Sequence, residues 1–232
     1  MKTGLVGKGY WGNIILSKLD NCSLTPPFKE AEWIFIATPP KNHYEYVKEY
    51  ILKGKNIFCE KPLTLDYSSA KELIELSKEK NVKLYINNLF LFRDEFKSIN
   101  YTNFNKIESV WLKEGPFKDT LFNDLLYHDL YMFISLMGVQ KITNINYYQN
   151  TSNILSLDFM YGNTKIKINY NREWKGNKTK TLKFEDQIID FSYPKNDPLK
   201  EVINLCFQNK IDFNQNHTLS LETIKLLNIF TL

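Results

Sequence analysis

Asp124 and His128 stand four residues apart in the apolar run DLLYHD (124–129). In a helix this spacing sets a carboxylate and an imidazole on one face, close enough to interact. Such a histidine suits general acid–base work near neutral pH. A structural helix pair, with Asp129 adjacent, uses the same residues and stays open as an alternative. Lys61 is the next group, in Glu60-Lys61-Pro62 at the end of the run NIFCE (56–60). If that run is a strand, Lys61 lies at its carboxyl end, where it can donate to a substrate oxygen and stabilise a developing alkoxide. An ordinary surface lysine fits the same local pattern.

Two other segments point to phosphates and loop edges. Gly7-Lys8-Gly9-Tyr10-Trp11-Gly12 is a GxGxxG between a strand-like and a helix-like run. The first glycine makes the tight turn, the second lets backbone approach a pyrophosphate, and the third permits helix–strand contact. The following helix start offers N–H groups to the phosphates. Glycine turns also serve purely structural ends. Ala37-Thr38-Pro39-Pro40 closes the apolar run WIFIAT (33–38), with His43 three residues on. Thr38 would then lie at the ligand edge of a parallel sheet, or serve only as cap of a proline-started helix.

The elements that must hold these groups alternate in the opening part of the chain. Thr3–Val6, Trp33–Thr38, Asn56–Glu60 and Val82–Asn87 read as strands. Asn42–Leu52, with Val47, Tyr50 and Ile51 on one face and Gly54 as stop, reads as a helix, as does Ser69–Lys80, with Ala70, Leu73, Ile74 and Ser77 on one face and Asp66 or Ser68 as N-cap. Strand–helix alternation implies a parallel sheet with helices on its faces. After about residue 88 the pattern changes. Ile107–Lys113, Ile142–Tyr148, Ile154–Phe159, Lys165–Tyr170, Thr179–Phe184 and Ile188–Tyr193 read as successive strands, interrupted by one helix from Thr120 to Met137 that Gly138 ends. Two more helices, Leu199–Gln208 and Leu219–Ile229, follow. Strands without intervening helices imply a largely antiparallel sheet.

One expected element is missing. An acidic residue about 20 positions after the glycine turn normally holds the adenosine ribose. Glu32 has that count but directly precedes the strand at Trp33, which puts it at the wrong edge of the sheet. Residues 13–32 are too few for the rest of a first helix, a second strand and a second helix, since a βαβ unit takes roughly 30 residues. Glu32 is therefore set aside.

Charge and cysteine usage narrow the function classes. A net charge of +4, from 30 basic and 26 acidic residues, is too mild to argue for nucleic acid. Lys165, Lys167, Arg172, Lys175, Lys178, Lys180 and Lys183 gather late in the chain. Strand alternation usually sets such residues on a solvated face, with a site for an anionic sugar derivative as the alternative. Cys22, Cys59 and Cys206 are scattered, which argues against a disulfide framework and a zinc site. No metal site is expected. No signal peptide precedes the first strand and no apolar stretch reaches membrane-spanning length, so a cytoplasmic protein with no membrane and no nucleic-acid partner is expected.

Taken together and in order, GLVGKGYWG (4–12), ATPPKNHYE (37–45), GKNIFCEKPLTLD (54–66) and DLLYHD (124–129) resemble the glucose-fructose oxidoreductase / inositol dehydrogenase / rhizopine-catabolism (Gfo/Idh/MocA) family of NAD(P)-dependent oxidoreductases. The resemblance runs weakly through the remaining chain, and its members are commonly longer. It implies an α/β chain: a shortened Rossmann-like parallel sheet domain (1–88), then an α+β substrate and oligomerisation domain (89–232) with an open, mainly antiparallel sheet. NAD or NADP would contact Gly7, Lys8, Gly9, Tyr10, Trp11, Gly12, Thr38, Pro39, Pro40, His43 and Glu60. By resemblance His128 exchanges the proton of the reacting hydroxyl, Lys61 orients and polarises that oxygen, and Asp124 assists. Asn88 and Trp174 join these three as expected substrate contacts. The segments GYWGN and LYINNLFLFRDEF (84–96) look most like members acting on nucleotide-linked sugars in surface-polysaccharide pathways, although the proline common near Asp94 is absent. The expected partners are a sugar or nucleotide-sugar and further copies of the chain. The truncated adenosine pocket leaves a second expectation, a non-catalytic binding or regulatory relative.

Overall fold

The computed structural model describes residues 1–100, 103–114 and 119–231. In chain order these form β1 (Thr3–Val6), α1 (Tyr10–Leu16), β2 (Cys22–Ser23), β3 (Trp33–Ile36), α2 (His43–Leu52), β4 (Asn56–Glu60), α3 (Tyr67–Glu79), β5 (Leu84–Asn87) and the short α4 (Asp94–Lys97). Then come β6 (Lys106–Leu112), α5 (Tyr127–Met137), β7 (Ile142–Asn150), β8 (Ile154–Tyr161), β9 (Thr164–Asn171), β10 (Thr179–Phe184), β11 (Gln187–Asp190), α6 (Pro198–Phe207) and α7 (Phe213–Thr231). The chain divides into two compact units, Met1–Leu89 with Leu199–Asn228, and Phe90–Pro198 with Ile229–Leu232. The division expected from the sequence assigned the last two helices to the second part; Leu199–Asn228 instead groups with the first. Among the described residues no helix is long and apolar enough to cross a membrane.

The first unit is a parallel sheet in the order β2-β1-β3-β4-β5. All four residues of β3 and of β5 are buried, as expected of strands covered on both faces. Register sets Phe35 opposite Phe58 and Phe58 opposite Tyr85, so the rings form a row with centroids 4.9 and 5.2 Å apart. Phe207 of α6 closes over Trp33 and Phe35 at 5.8 and 6.2 Å. On α2 the residues Val47, Tyr50 and Ile51 are buried, and on α3 Ala70, Leu73, Ile74 and Ser77, the faces expected from their spacing. Asp66 is the N-cap of α3 and accepts from the Ser69 amide at 2.8 Å. The far edge of the sheet is closed by α7. The Asn216 side chain accepts from Ile86 N–H and donates to Ile86 C=O, both at 2.9 Å, and His217 Nε2 meets Leu84 O at 2.6 Å.

The stretch after the first helix differs from expectation. A second strand does form, because α1 takes only 7 residues, but β2 is itself only 2 residues long. Residues 24–32 hold bends and turns without a helix. Glu32 lies just before β3 and donates its amide to Lys2 O at 2.9 Å, at the amino edge of the sheet.

The second unit carries a six-stranded sheet, β11-β10-β6-β9-β8-β7. Only β6 and β9 run parallel; the other pairs are antiparallel. The expected long helix is two pieces. A π-helical turn, Phe122–Leu126, precedes α5, which stops at Gly138 with φ +71°. A π turn is a local widening found often at functional sites.

Candidate functional site

In the first unit the glycine turn is built by main chain packing on main chain. Gly7 has φ +109°, and a Cβ added there would stand 2.4 Å from the Ala37 carbonyl oxygen. At Gly12 an added Cβ would stand 2.0 Å from the carbonyl oxygen of Gly7. Neither position admits a side chain. Gly9 differs: an added Cβ there meets nothing within 4 Å. The turn therefore presents bare backbone to open space at its middle glycine. Lys8, Tyr10 and Trp11 around it are exposed, and the two rings meet edge to face at 6.0 Å.

The carboxyl ends of β3, β4 and β5 supply the other groups. Thr38 follows β3, and its buried Oγ1 has no partner among the described residues. Pro39 leads into a 3-10 turn, Pro40–Asn42, which runs into α2 at His43. His43 is fully buried with Nδ1 2.8 Å from Pro62 O and Nε2 2.8 Å from Thr38 O. It ties the loop after β3 to the loop after β4. Burial holds its pKa below the ordinary value, against the pull of the carbonyls of Pro62, Thr38 and Leu63.

Glu60 ends β4 in a buried position and accepts from Asn87 Nδ2 at 2.7 Å. Burial raises its pKa to about 6, opposed by the Asn87 hydrogen bond and the charge of Lys61. Lys61 follows, partly exposed. Asn88 is buried after β5 and donates to Ile86 O at 3.3 Å. The Oδ1 atoms of Asn87 and Asn88 are buried without a partner among the described residues. Leaving a buried polar atom unmatched costs about 1–3 kcal/mol. Thr38, Asn87 and Asn88 thus gather unmatched oxygens at one edge of the sheet, where open α/β sheets bind ligands.

In the second unit Asp124 lies inside the π turn and pairs with Arg172 of the segment after β9, Nη2 to Oδ2 at 2.9 Å. Arg172 Nη1 also donates to Asp119 O at 2.6 Å. His128, one residue into α5, is half-buried among rings, with centroids 4.9 Å from Phe90, 5.8 Å from Trp111 and 6.3 Å from Tyr127. Asp129 is fully buried and accepts from Lys180 Nζ, Ser109 Oγ and Tyr170 OH. Burial lowers the Lys180 pKa and raises that of Tyr170, with Asp129 favouring the protonated form of each. Trp174 lies between β9 and β10, 41% exposed, its indole N–H donated to Asn177 O at 3.1 Å.

Two residues assigned from the sequence to a solvated face are buried, Arg172 and Lys180. Alternation along the strands already held the signal. Arg172 shares parity with Ile166, Ile168 and Tyr170, and Lys180 with Leu182 and Phe184, all buried. The carboxylates of Asp124 and Asp129 make that burial tolerable. The sequence reading also missed Asn87, Phe90 and Trp111, which look like ordinary strand and loop residues until the fold sets them beside Glu60 and His128. Among the described residues no group of three or more His, Cys, Asp and Glu is placed to hold a metal.

Residues 4–88 match the Gfo/Idh/MocA family model, described as an oxidoreductase family with an NAD-binding Rossmann fold. An uncharacterised oxidoreductase of Schizosaccharomyces pombe is 46% identical over 55 residues, which are 24% of this chain and 15% of that protein. Mouse biliverdin reductase A is 25% identical over 140 residues, 58% of this chain and 45% of that protein. The chain thus matches less than half the length of either relative. Among solved structures, UDP-N-acetylglucosamine 3-dehydrogenase GnnA of Acidithiobacillus ferrooxidans superposes with TM-score 0.81 at 16% identity, over 99% of this chain and 96% of that one. The WlbA dehydrogenase of Thermus thermophilus, solved with NAD and UDP-GlcNAcA, gives 0.79 at 12% identity over 100% and 86%. These likenesses show the fold: a Rossmann-like parallel sheet and a mixed, mostly antiparallel one.

Proposed function

The chain resembles the Gfo/Idh/MocA family of NAD-binding oxidoreductases, and from that premise we propose that it moves a hydride between a nicotinamide cofactor and a CH–OH group of a sugar or nucleotide-sugar. The observation that carries this reading is the ligand edge of the first sheet. There the glycine turn faces open space at Gly9, and the unmatched oxygens of Thr38, Asn87 and Asn88 lie along the same carboxyl edge of the sheet. That chemistry fits a dinucleotide: backbone for its pyrophosphate, and buried polar atoms for its amide and hydroxyl groups. Bound NAD or NADP supplies the hydride acceptor or donor.

The chain's own residues do the rest. Gly7–Gly12 hold the pyrophosphate through main-chain N–H groups, with Lys8, Tyr10 and Trp11 at the rim. Thr38, Pro39, Pro40 and Glu60 border the nicotinamide end. His43 contributes by fixing the loops it ties, since both its ring nitrogens face main-chain carbonyls. Lys61 donates to the reacting substrate oxygen and lowers the energy of its alkoxide form. His128 takes or returns the proton of that oxygen, and Asp124, held by Arg172, orients the helix turn that carries it. Asn88 and Trp174 contact substrate. The setting is cytoplasmic sugar metabolism of the surface-polysaccharide kind, with the chain as a homo-oligomer.

Lys61→Ala and His128→Ala each abolish NAD(P)H-linked turnover of a nucleotide sugar while circular dichroism stays that of the parent. Parent-like turnover in either variant defeats the assignment. The two-residue β2 favours a second reading, a binding protein without competent cofactor affinity, because that strand would floor the adenosine half. Calorimetric titration separates the two. Binding of NADH or NADPH supports the enzyme, and no heat with either at millimolar concentration supports the second.

A further inference from the structure

His128 is bracketed by two carboxylates that are both held from one strand region. Asp124, four residues before it, is paired with Arg172, and Asp129, directly after it, accepts from Tyr170. Tyr170 lies in β9, and Arg172, just past its end, keeps the same parity. Asp129 is 0% exposed and its ion-pair partner Lys180 1%. Lys180 Nζ donates to Asp129 and, at 2.8 Å, to Ser109 Oγ, while Ser109 Oγ donates to Asp129. The ammonium also sits 4.7 Å from the centre of the Trp111 ring, and Trp111 is one of the rings against His128. Ser109 and Trp111 are alternate residues of β6, so one strand face carries both the ion pair and the wall of the imidazole.

A buried ion pair is a poor source of stability, because desolvation offsets its attraction and an apolar pair often does as well. What such a pair supplies is a single geometry. We infer that Lys180 and Asp129 are positioning residues for His128. The pair locks the first turn of α5 against β6, β9 and β10, and it pins Trp111 so that the imidazole keeps one orientation. The inference rests on the proposed role of His128 in proton transfer, since only that role gives the orientation a use.

Its test needs a readout that does not require turnover. The chain has 3 histidines, so the His128 ring signals are assignable in an NMR spectrum by comparison with a His128→Asn variant. Asp129→Asn combined with Lys180→Gln removes both charges and keeps hydrogen-bonding side chains of similar length. In the folded double variant the His128 ring signals move or broaden while those of His43 and His217 stay. In parallel kcat falls about 100-fold with KM little changed, the size of effect a small misplacement produces. His128 signals that coincide with the parent's, or a parent-like kcat, overturn the inference. Should the double variant fail to fold, Asp129→Leu combined with Lys180→Met, an apolar pair of the kind buried sites accept, decides the matter by the same signals and the same kcat. A His128→Asn variant that retains turnover instead removes the proposed function, and the NMR comparison still judges the positioning.

Discussion

In the first unit Gly7 and Gly12 let main chain press on main chain, strand ends set out Thr38, Glu60, Lys61 and Asn88, and a buried His43 ties two loops. In the second unit ion pairs hold the carboxylates on either side of His128: Asp129 with Lys180, both buried, and the partly exposed Asp124 with the buried Arg172. A site placed by backbone tolerates exchange of its side chains but no added atom at its glycines. The Lys180–Asp129 pair tolerates no single loss of charge, because the partner left behind stays buried.

The sharpest way to break this comparison is at the glycines. Gly7→Ala combines a positive φ with a backbone clash, and should cost about 4 kcal/mol in urea denaturation. Gly9→Ala, with open space around it, should cost about 1 kcal/mol or less. Similar losses at both would refute the picture of a main-chain cradle. In the second unit, Arg172→Met removes the cation beside the partly exposed Asp124, and the same measurement should show a loss of about 2 kcal/mol. A loss under half of that would mean Asp124 finds water instead.

Glu60 sharpens the contrast from the other side, because it is a buried acid with a neutral partner. Its pKa in the folded chain is about 6 against an ordinary 4.5, so its protonated form favours folding. Stability from this group is present below pH 4.5 and is lost as the pH rises through 6. Glu60→Gln should therefore match the parent near pH 4 and exceed it by about 2 kcal/mol at pH 7.5. Equal stabilities at both pH values would show that Glu60 titrates normally. The smallest effect belongs to the exposed pair Lys2–Glu30, where Lys2→Ala should leave the denaturation midpoint unchanged.

Regular patterning made much of the fold legible. β1, β4 and β10 have the bounds expected from their apolar runs, and the buried faces of α2 and α3 are those their spacing implies. Elements without such patterning were not legible. A two-residue β2 has no period to detect, and a π turn leaves no mark that distinguishes it from ordinary helix. The helix α7 begins six residues before the expected Leu219, because Asn216 and His217 turn inward to meet the main chain of β5. Polar residues in a buried role hide a helix from any hydrophobic period. Type and spacing left Lys61, Asp124 and His128 open between a reactive and a structural role, and the family resemblance alone gave them one, whereas Arg172 and Lys180 were misplaced because their charge outweighed their strand parity.

The amide of Asn216 offers Ile86 one acceptor and one donor, the same pair a neighbouring strand would present. A sheet edge with free main-chain groups invites foreign strands and so aggregation. Here one rim is capped by side chains of α7, and the opposite rim is β2, only 2 residues long. Neither rim gives an incoming peptide a long ladder to extend. The parallel sheet is thereby guarded against unwanted polymerisation at both ends, by Asn216 and His217 on one side and by brevity on the other.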